Sequence, residues 1–149
     1  MDTSSHNSDT IDQLNSFLRG ELAAVESYRL ALEKLDNTAY RGTLLQCSRS
    51  HEDRVRLLTQ AIVARGGEPV TNSGAWGTFA RLVETGAAAL GEKAAISALE
   101  EGEDHGKKDY NRDLMDLEPS ARQLVESSIV PEQQRTHDVV RDLKRQLAA

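Results

Sequence analysis

No disulfide framework can hold this chain together, because Cys47 is its only cysteine. A lone thiol fits a cytosolic setting better than an oxidising one. Aromatic residues are also scarce, at 4%, while Leu and Ala are plentiful. That disfavours a β-sandwich and favours helices packed through aliphatic side chains. No apolar run approaches the ~20 residues that span a bilayer. The opening stretch, MDTSSHNSDT, lacks the basic and apolar regions of a signal peptide, so residues 1–10 are expected to form a mobile polar tail. A Gly-rich phosphate loop, a Ser-His-Asp arrangement and a Cys-x-x-Cys pair are all missing. Excess positive charge is missing too: the formal net charge is −6, which argues against a nucleic-acid or anionic-membrane partner.

What is present is helical periodicity over a length suited to one domain with a real core. Leu14, Phe17, Glu21, Ala24, Tyr28, Ala31 and Leu35 recur at alternating spacings of three and four, the seam of a packed helix beginning near Ile11. A second helix is expected from about Thr38 to Arg65, with Leu44, Ser48, His51, Val55, Leu58 and Ile62 facing inward, and RGGEP ends it. Residues 66–90 are too long for a tight turn and read as a crossover, with a short helix over about 74–89 and Trp76 plugging the bundle. A third helix begins near Glu92 and carries Ile96, Leu99 or Glu100, Glu103, Tyr110, Leu114 and Leu117 on one side. Pro119 ends it, Ser120 caps the next, and the last helix starts near Ala121 with a kink expected at Pro131. The fold expectation is therefore all-α: one domain over 11–149, a four-helix bundle of two hairpins joined by a long crossover, which is the ferritin-like arrangement.

Two stretches share a frame: GELAAVESY at 20–28 and GEDHGKKDY at 102–110. Each sets a Glu on its helix seam seven residues before a Tyr, so both side chains share a face. A buried carboxylate costs several kcal/mol unless it is paired, hydrogen-bonded, protonated or metal-bound. His51 and His137 lie on the second and fourth helices. Glu21, His51, Glu103 and His137 thus form a candidate metal set suited to iron, manganese or zinc, with Tyr28 and Tyr110 placed to hydrogen-bond the ligands. The same residues also read as a hydrogen-bonded polar core holding no metal. Cys47 reads as a small buried hydrophobe, His105 as outward-facing and His6 as part of the tail. Gly102 and Gly106 bracket Glu103 where a helix would prefer Ala.

NSFLRGELAAVESYRLALEKL resembles the first helix of ferritin-like proteins, bacterioferritin among them, through Glu21, Ala24 and Tyr28. HEDR at 51–54 is similar to that family's ligand-histidine region. RGGEPVTNSGAWGTF, EEGEDHGKKDY and QQRTHD resemble an uncharacterised bacterial ferritin-like family, a domain of unknown function. The resemblance implies a bacterial cytoplasmic protein, a stress- or metal-related role and a homo-oligomer. The ferritin-like di-iron pattern takes a Glu from each of two helices and Glu-x-x-His from each of the others. Here Ser48 precedes His51 and Gln134 precedes His137, so both bridging carboxylates are missing; Glu52, Glu100, Asp104 and Glu132 could replace them only if the helix rotations differ. The expectation is a degenerate or empty centre without catalytic residues. An iron- or manganese-binding oxidoreductase and a protein-interaction bundle are the alternatives.

Overall fold

A computed structural model describes residues 3–35, 39–74, 81 and 91–148, and among these every regular element is helical. Helix α1 spans Thr3–Lys34, α2 Arg41–Ala64 and α3 Glu92–Asp113. A 3-10 turn, Leu114–Asp116, leads into α4. That helix runs unbroken through Pro119–Leu124, a π turn at Val125–Ile129, and Val130–Ala148.

α1 packs most extensively along α2, and α3 along α4. Asn7 near the start of α1 donates to the Arg65 carbonyl just beyond the end of α2, at 3.1 Å, so this pair is antiparallel. Tyr110 meets Glu21 while Tyr28 meets Glu103, which makes α1 and α3 antiparallel as well. It follows that α2 and α3 run parallel, and α2 ends at the opposite end of the bundle from where α3 begins. Gly66 closes α2 at φ +77°, a conformation glycine adopts without steric cost. The chain then turns back along α1: the Asn15 side chain donates to the Glu68 carbonyl (3.1 Å) and accepts from the Val70 N–H (2.9 Å). The short crossover helix expected over 74–89, with Trp76, lies almost wholly outside the described residues.

Three boundaries differ from the sequence expectations. The stretch expected to be a tail is helical from Thr3 onward, and the buried Thr10 hydroxyl accepts the Glu118 N–H at 3.0 Å. Those contacts to α2 and α4 outweigh the polar composition. Pro119 opens α4 where it was expected only to end α3; its missing N–H costs nothing in a first turn, where no intrahelical partner exists. The irregularity expected at Pro131 takes the form of the preceding π turn. Proline crowds the carbonyl one turn back and offers no donor, and the Ser127 hydroxyl donates to the Gln123 carbonyl there, at 2.7 Å.

The π turn decides which face of α4 looks inward. Ala121, Val125, Ile129 and Gln133 are all buried, four residues apart three times in succession. An α-helix needs about eleven residues for three turns, so this stripe drifts by one residue and the π turn absorbs it. Beyond it, Thr136, Val140 and Leu143 return to spacings of three and four.

Two apolar clusters fill the bundle. One gathers Leu35, Leu44, Ile96, Leu99 and Val140 among others; the second gathers Leu14, Phe17, Leu58, Ile62, Val125 and Ile129 among others. Between them lies a buried polar layer that includes Glu21, His51, Arg54, Glu103, Gln133 and Thr136. If the π turn absorbs one extra residue, deleting exposed Ser128 returns the segment to an α-helix with Gln133, Thr136, Val140 and Leu143 still facing inward, whereas inserting one alanine after Ser128 carries Val139 and Asp142 toward the places of Val140 and Leu143. Loss of a cooperative thermal transition is expected for the insertion, whereas the deletion keeps one and Ser128→Ala stays within ~0.5 kcal/mol of the parent. An insertion variant that melts like the parent would contradict this.

Candidate functional site

His51 lies between the two carboxylates. Its Nδ1 is 2.6 Å from Glu21 Oε2 and its Nε2 is 2.6 Å from Glu103 Oε1. All three side chains are at most 4% exposed. With both carboxylates ionised, the direction in which burial, His51 and Arg54 together hold them, each can only accept, so both ring nitrogens donate and the ring is an imidazolium.

The remaining lone pairs are also used. Tyr110 donates to Glu21 Oε1 at 2.8 Å and Tyr28 to Glu103 Oε1 at 2.7 Å. Each tyrosine therefore serves the glutamate of the other helix, as the antiparallel pairing of the two Gly-Glu-x6-Tyr frames requires. Glu103 Oε2 accepts from Gln133 Nε2 (3.1 Å) and from the Thr136 hydroxyl (2.9 Å).

The group that sequence reasoning missed is Arg54, which is 1% exposed. Its guanidinium donates to Glu21 Oε1 (3.3 Å), Gln133 Oε1 (2.8 Å), Thr136 Oγ1 (2.7 Å), Ser50 Oγ (3.1 Å) and the Glu132 carbonyl (3.3 Å). Its signal was in HEDR, since a residue three after His51 shares its helix face. Two carboxylates, one imidazolium and one guanidinium sum to zero charge. Charge-assisted bonds in so dry a place are the strong kind, and they are what offsets the desolvation of four ions.

His137 stands apart from this cluster. It is buried, with Nε2 at 2.5 Å from Asp104 Oδ1 and Nδ1 at 3.4 Å from Asp138 Oδ1. Gln133 and Thr136 occupy the place toward Glu103 that the sequence spacing reserved for Gln134 and His137; Gln134 is exposed and pairs with Asp138. The inward stripe runs through Gln133, Thr136 and Val140, so His137 lies one residue, about 100° of helix rotation, past Thr136 and on the Asp104 side. Of the acids considered as replacements, Glu52 is exposed, Glu132 pairs with Arg135, Glu100 with Lys144 and Asp104 with His137. Burial pushes the Cys47 thiol up to about 11, which leaves it unreactive.

One residue offset relates the two halves of the site. Eighty-two residues separate Ser50 from Glu132 and Arg54 from Thr136, and each of those pairs is hydrogen-bonded. The same interval separates Glu21 from Glu103, Tyr28 from Tyr110 and His51 from Gln133. Between α1 and α3 a cavity of about 40 Å³, with Gly20, Ala24, Gly102 and Gly106 on its walls, reaches Glu21, His51 and Glu103. That is room for roughly three water molecules. Gly106 also makes space for a neighbour, since a Cβ there would sit 3.1 Å from Gln133 Oε1.

Among the described residues, no three His, Cys, Asp or Glu side chains are grouped so as to hold a metal ion. The donor chemistry explains this. His51 has no lone pair to offer while both its nitrogens donate, and Arg54 supplies the second positive charge. The residues present do not fit a metal as they stand.

Burial alone would raise the Glu21 pKa, but the Arg54 and His51 charges hold it down to about 2. Glu103 is lowered the same way: burial opposes ionisation, and His51 and Arg54 overcome it. For His51, burial and Arg54 favour the neutral ring, yet Glu103 and Glu21 raise its pKa. Tyr28 and Tyr110 are raised well above the usual range by burial and by the glutamates they serve. The signs give a pH window. The Glu21 contribution, on the order of 3 kcal/mol, is complete above about pH 4.5 and lost as pH falls toward 2, and that of Glu103 is lost in the same direction on acidification. The His51 contribution is complete below about pH 6.5 and lost as pH rises through its elevated folded value. Urea titrations across pH are expected to show Glu21→Gln flattening the acid limb and His51→Gln the alkaline limb. Limbs unchanged in both variants would contradict the ion cluster.

Comparison with known proteins returns no match among curated proteins or solved structures. One family matches over residues 9–116, well over half of the chain and including Glu21, Tyr28, His51, Arg54, Glu103 and Tyr110. The chain belongs to that family, described as Domain of unknown function (DUF2383).

Proposed function

We propose that this chain is a ferritin-like bundle whose carboxylate/histidine centre is degenerate: a polar core neutralised by the protein's own cations. The helix directions support the ferritin-like reading. Two antiparallel hairpins are set so that α2 and α3 run parallel, with one Glu each from α1 and α3 and a His from α2. The single observation that carries the degenerate reading is His51 lying with a buried carboxylate oxygen 2.6 Å from each ring nitrogen. Arg54 completes the charge balance. A stress- or metal-related role is then exercised without a working metal centre.

The alternative is an iron- or manganese-binding oxidoreductase in which Glu21, His51, Glu103 and His137 are ligands. One feature favours it: the cavity between α1 and α3 gives a small species a route to the first three. A metal entering there must take the His51 proton and displace a guanidinium bond, so its uptake would release protons. Protein purified without chelator or metal-affinity tag, then incubated with Fe(II), Mn(II) and Zn(II), separates the two readings by elemental analysis. Far less than one equivalent of any metal is expected. Near-stoichiometric metal that is lost in Glu21→Ala/Glu103→Ala would overturn the degenerate reading in favour of the metalloprotein.

A further inference from the structure

Three pairs in the 82-residue correspondence differ, and two of them differ in the same way. His51 answers to Gln133 and Arg54 to Thr136. Each hairpin supplies one carboxylate, but the first supplies both cations. The guanidinium must therefore reach across the bundle from α2, and it does so inside a ready-made oxygen shell. Glu21 Oε1, Ser50 Oγ, the Glu132 carbonyl, Gln133 Oε1 and Thr136 Oγ1 all accept from it. Four of these five oxygens are neutral and one belongs to a carboxylate.

We propose that this oxygen shell is a guanidinium-recognition site in which Arg54 is a tethered ligand, so that cutting the tether leaves a site for a free guanidinium ion. The inference deepens the degenerate-centre reading and rests on it. Glu21 and Gln133 accept from Nη1, and Ser50, Glu132 and Thr136 accept from Nη2, so the oxygens surround the two terminal nitrogens of a planar cation, which a free guanidinium ion with two N–H donors on each nitrogen reproduces. The acceptors are positioned independently of Arg54. Gln133 is held by Glu103 through two bonds from its amide and by the space Gly106 leaves for it. Thr136 is held by its donation to Glu103, and Ser50 by its donation to Glu132. Arg54 is a positioning residue here: its charge balances Glu21 while its shape ties α2 to α4.

The test is chemical rescue. Arg54→Ala strands Glu21 beside a single cation and should lower Tm by roughly 10 °C. Millimolar guanidinium chloride should restore several degrees in that variant and none in the parent. Urea, the same shape without charge, and sodium chloride at equal ionic strength are the controls, and neither should restore anything. Should Arg54→Ala fail to fold without ligand, Arg54→Met and Arg54→Met/Glu21→Gln carry the test, since the double variant removes both charges and should melt higher than the single. Rescue by urea as strong as by guanidinium, no rescue at all, or a double variant less stable than the single would each overturn the inference and leave the degenerate-centre reading intact. Titration of the parent with Mn(II) in a calorimeter tests that reading separately: no binding is expected, and stoichiometric binding would overturn both.

Discussion

An imidazolium clamped between two buried carboxylates sets the terms for the rest of this bundle. Glu21 and Glu103 come from antiparallel helices, and neither could stay ionised in a dry core alone. His51 joins them at 2.6 Å on each side, fixing where α2 lies against α1 and α3 at once. Arg54 then does for α2 and α4 what His51 does for α1 and α3. The two apolar clusters on either side confine water to the small cavity between α1 and α3, so breaking one link leaves a poorly solvated, uncompensated ion. Such a centre makes the fold intolerant of single charge changes there, while its exposed ion pairs contribute little.

The halves of the site are near copies, and the differences between them carry its character. Glu21 and Tyr28 recur as Glu103 and Tyr110, and each tyrosine crosses to the other half's glutamate. At the two inner positions of the second hairpin, neutral Gln133 and Thr136 replace the cations. Had both halves carried His and Arg, the layer would hold four positive charges against two negative. The replacement keeps it neutral and turns the neutral pair into acceptors for the guanidinium.

Much of this could be read from residue spacing. The helices α1 and α3, their Glu and Tyr positions and the inward face of His51 follow from a local period of 3.6 in which apolar neighbours mark the seam. Two features could not be read that way. Arg54 sits beside Glu52 and Asp53 in a charged run, and a long cationic side chain there looks like a solvated face. Its burial depends on the oxygens α4 presents across the bundle. The face of α4 depends in turn on one extra residue in a π turn, visible only in the four-residue spacing of Ala121, Val125, Ile129 and Gln133. Carrying an α-helical period straight through from Ala121 puts Arg135 inward; the extra residue moves the stripe to Thr136, and His137, one residue further on, meets Asp104. The polar opening stretch misleads for a related reason, since Asn7 and Thr10 are anchored by groups from α2 and α4 far away in sequence.

The central claim is that His51 is doubly protonated where an isolated histidine would not be. Nitrogen-15 NMR of histidine-labelled protein at about pH 8, above the usual histidine pKa of ~6.5, reads this directly, with His51→Gln identifying the signals. Both His51 ring nitrogens should resonate as protonated N–H, while an ordinary histidine shows one bare nitrogen. A bare nitrogen signal from His51 at that pH would contradict the account.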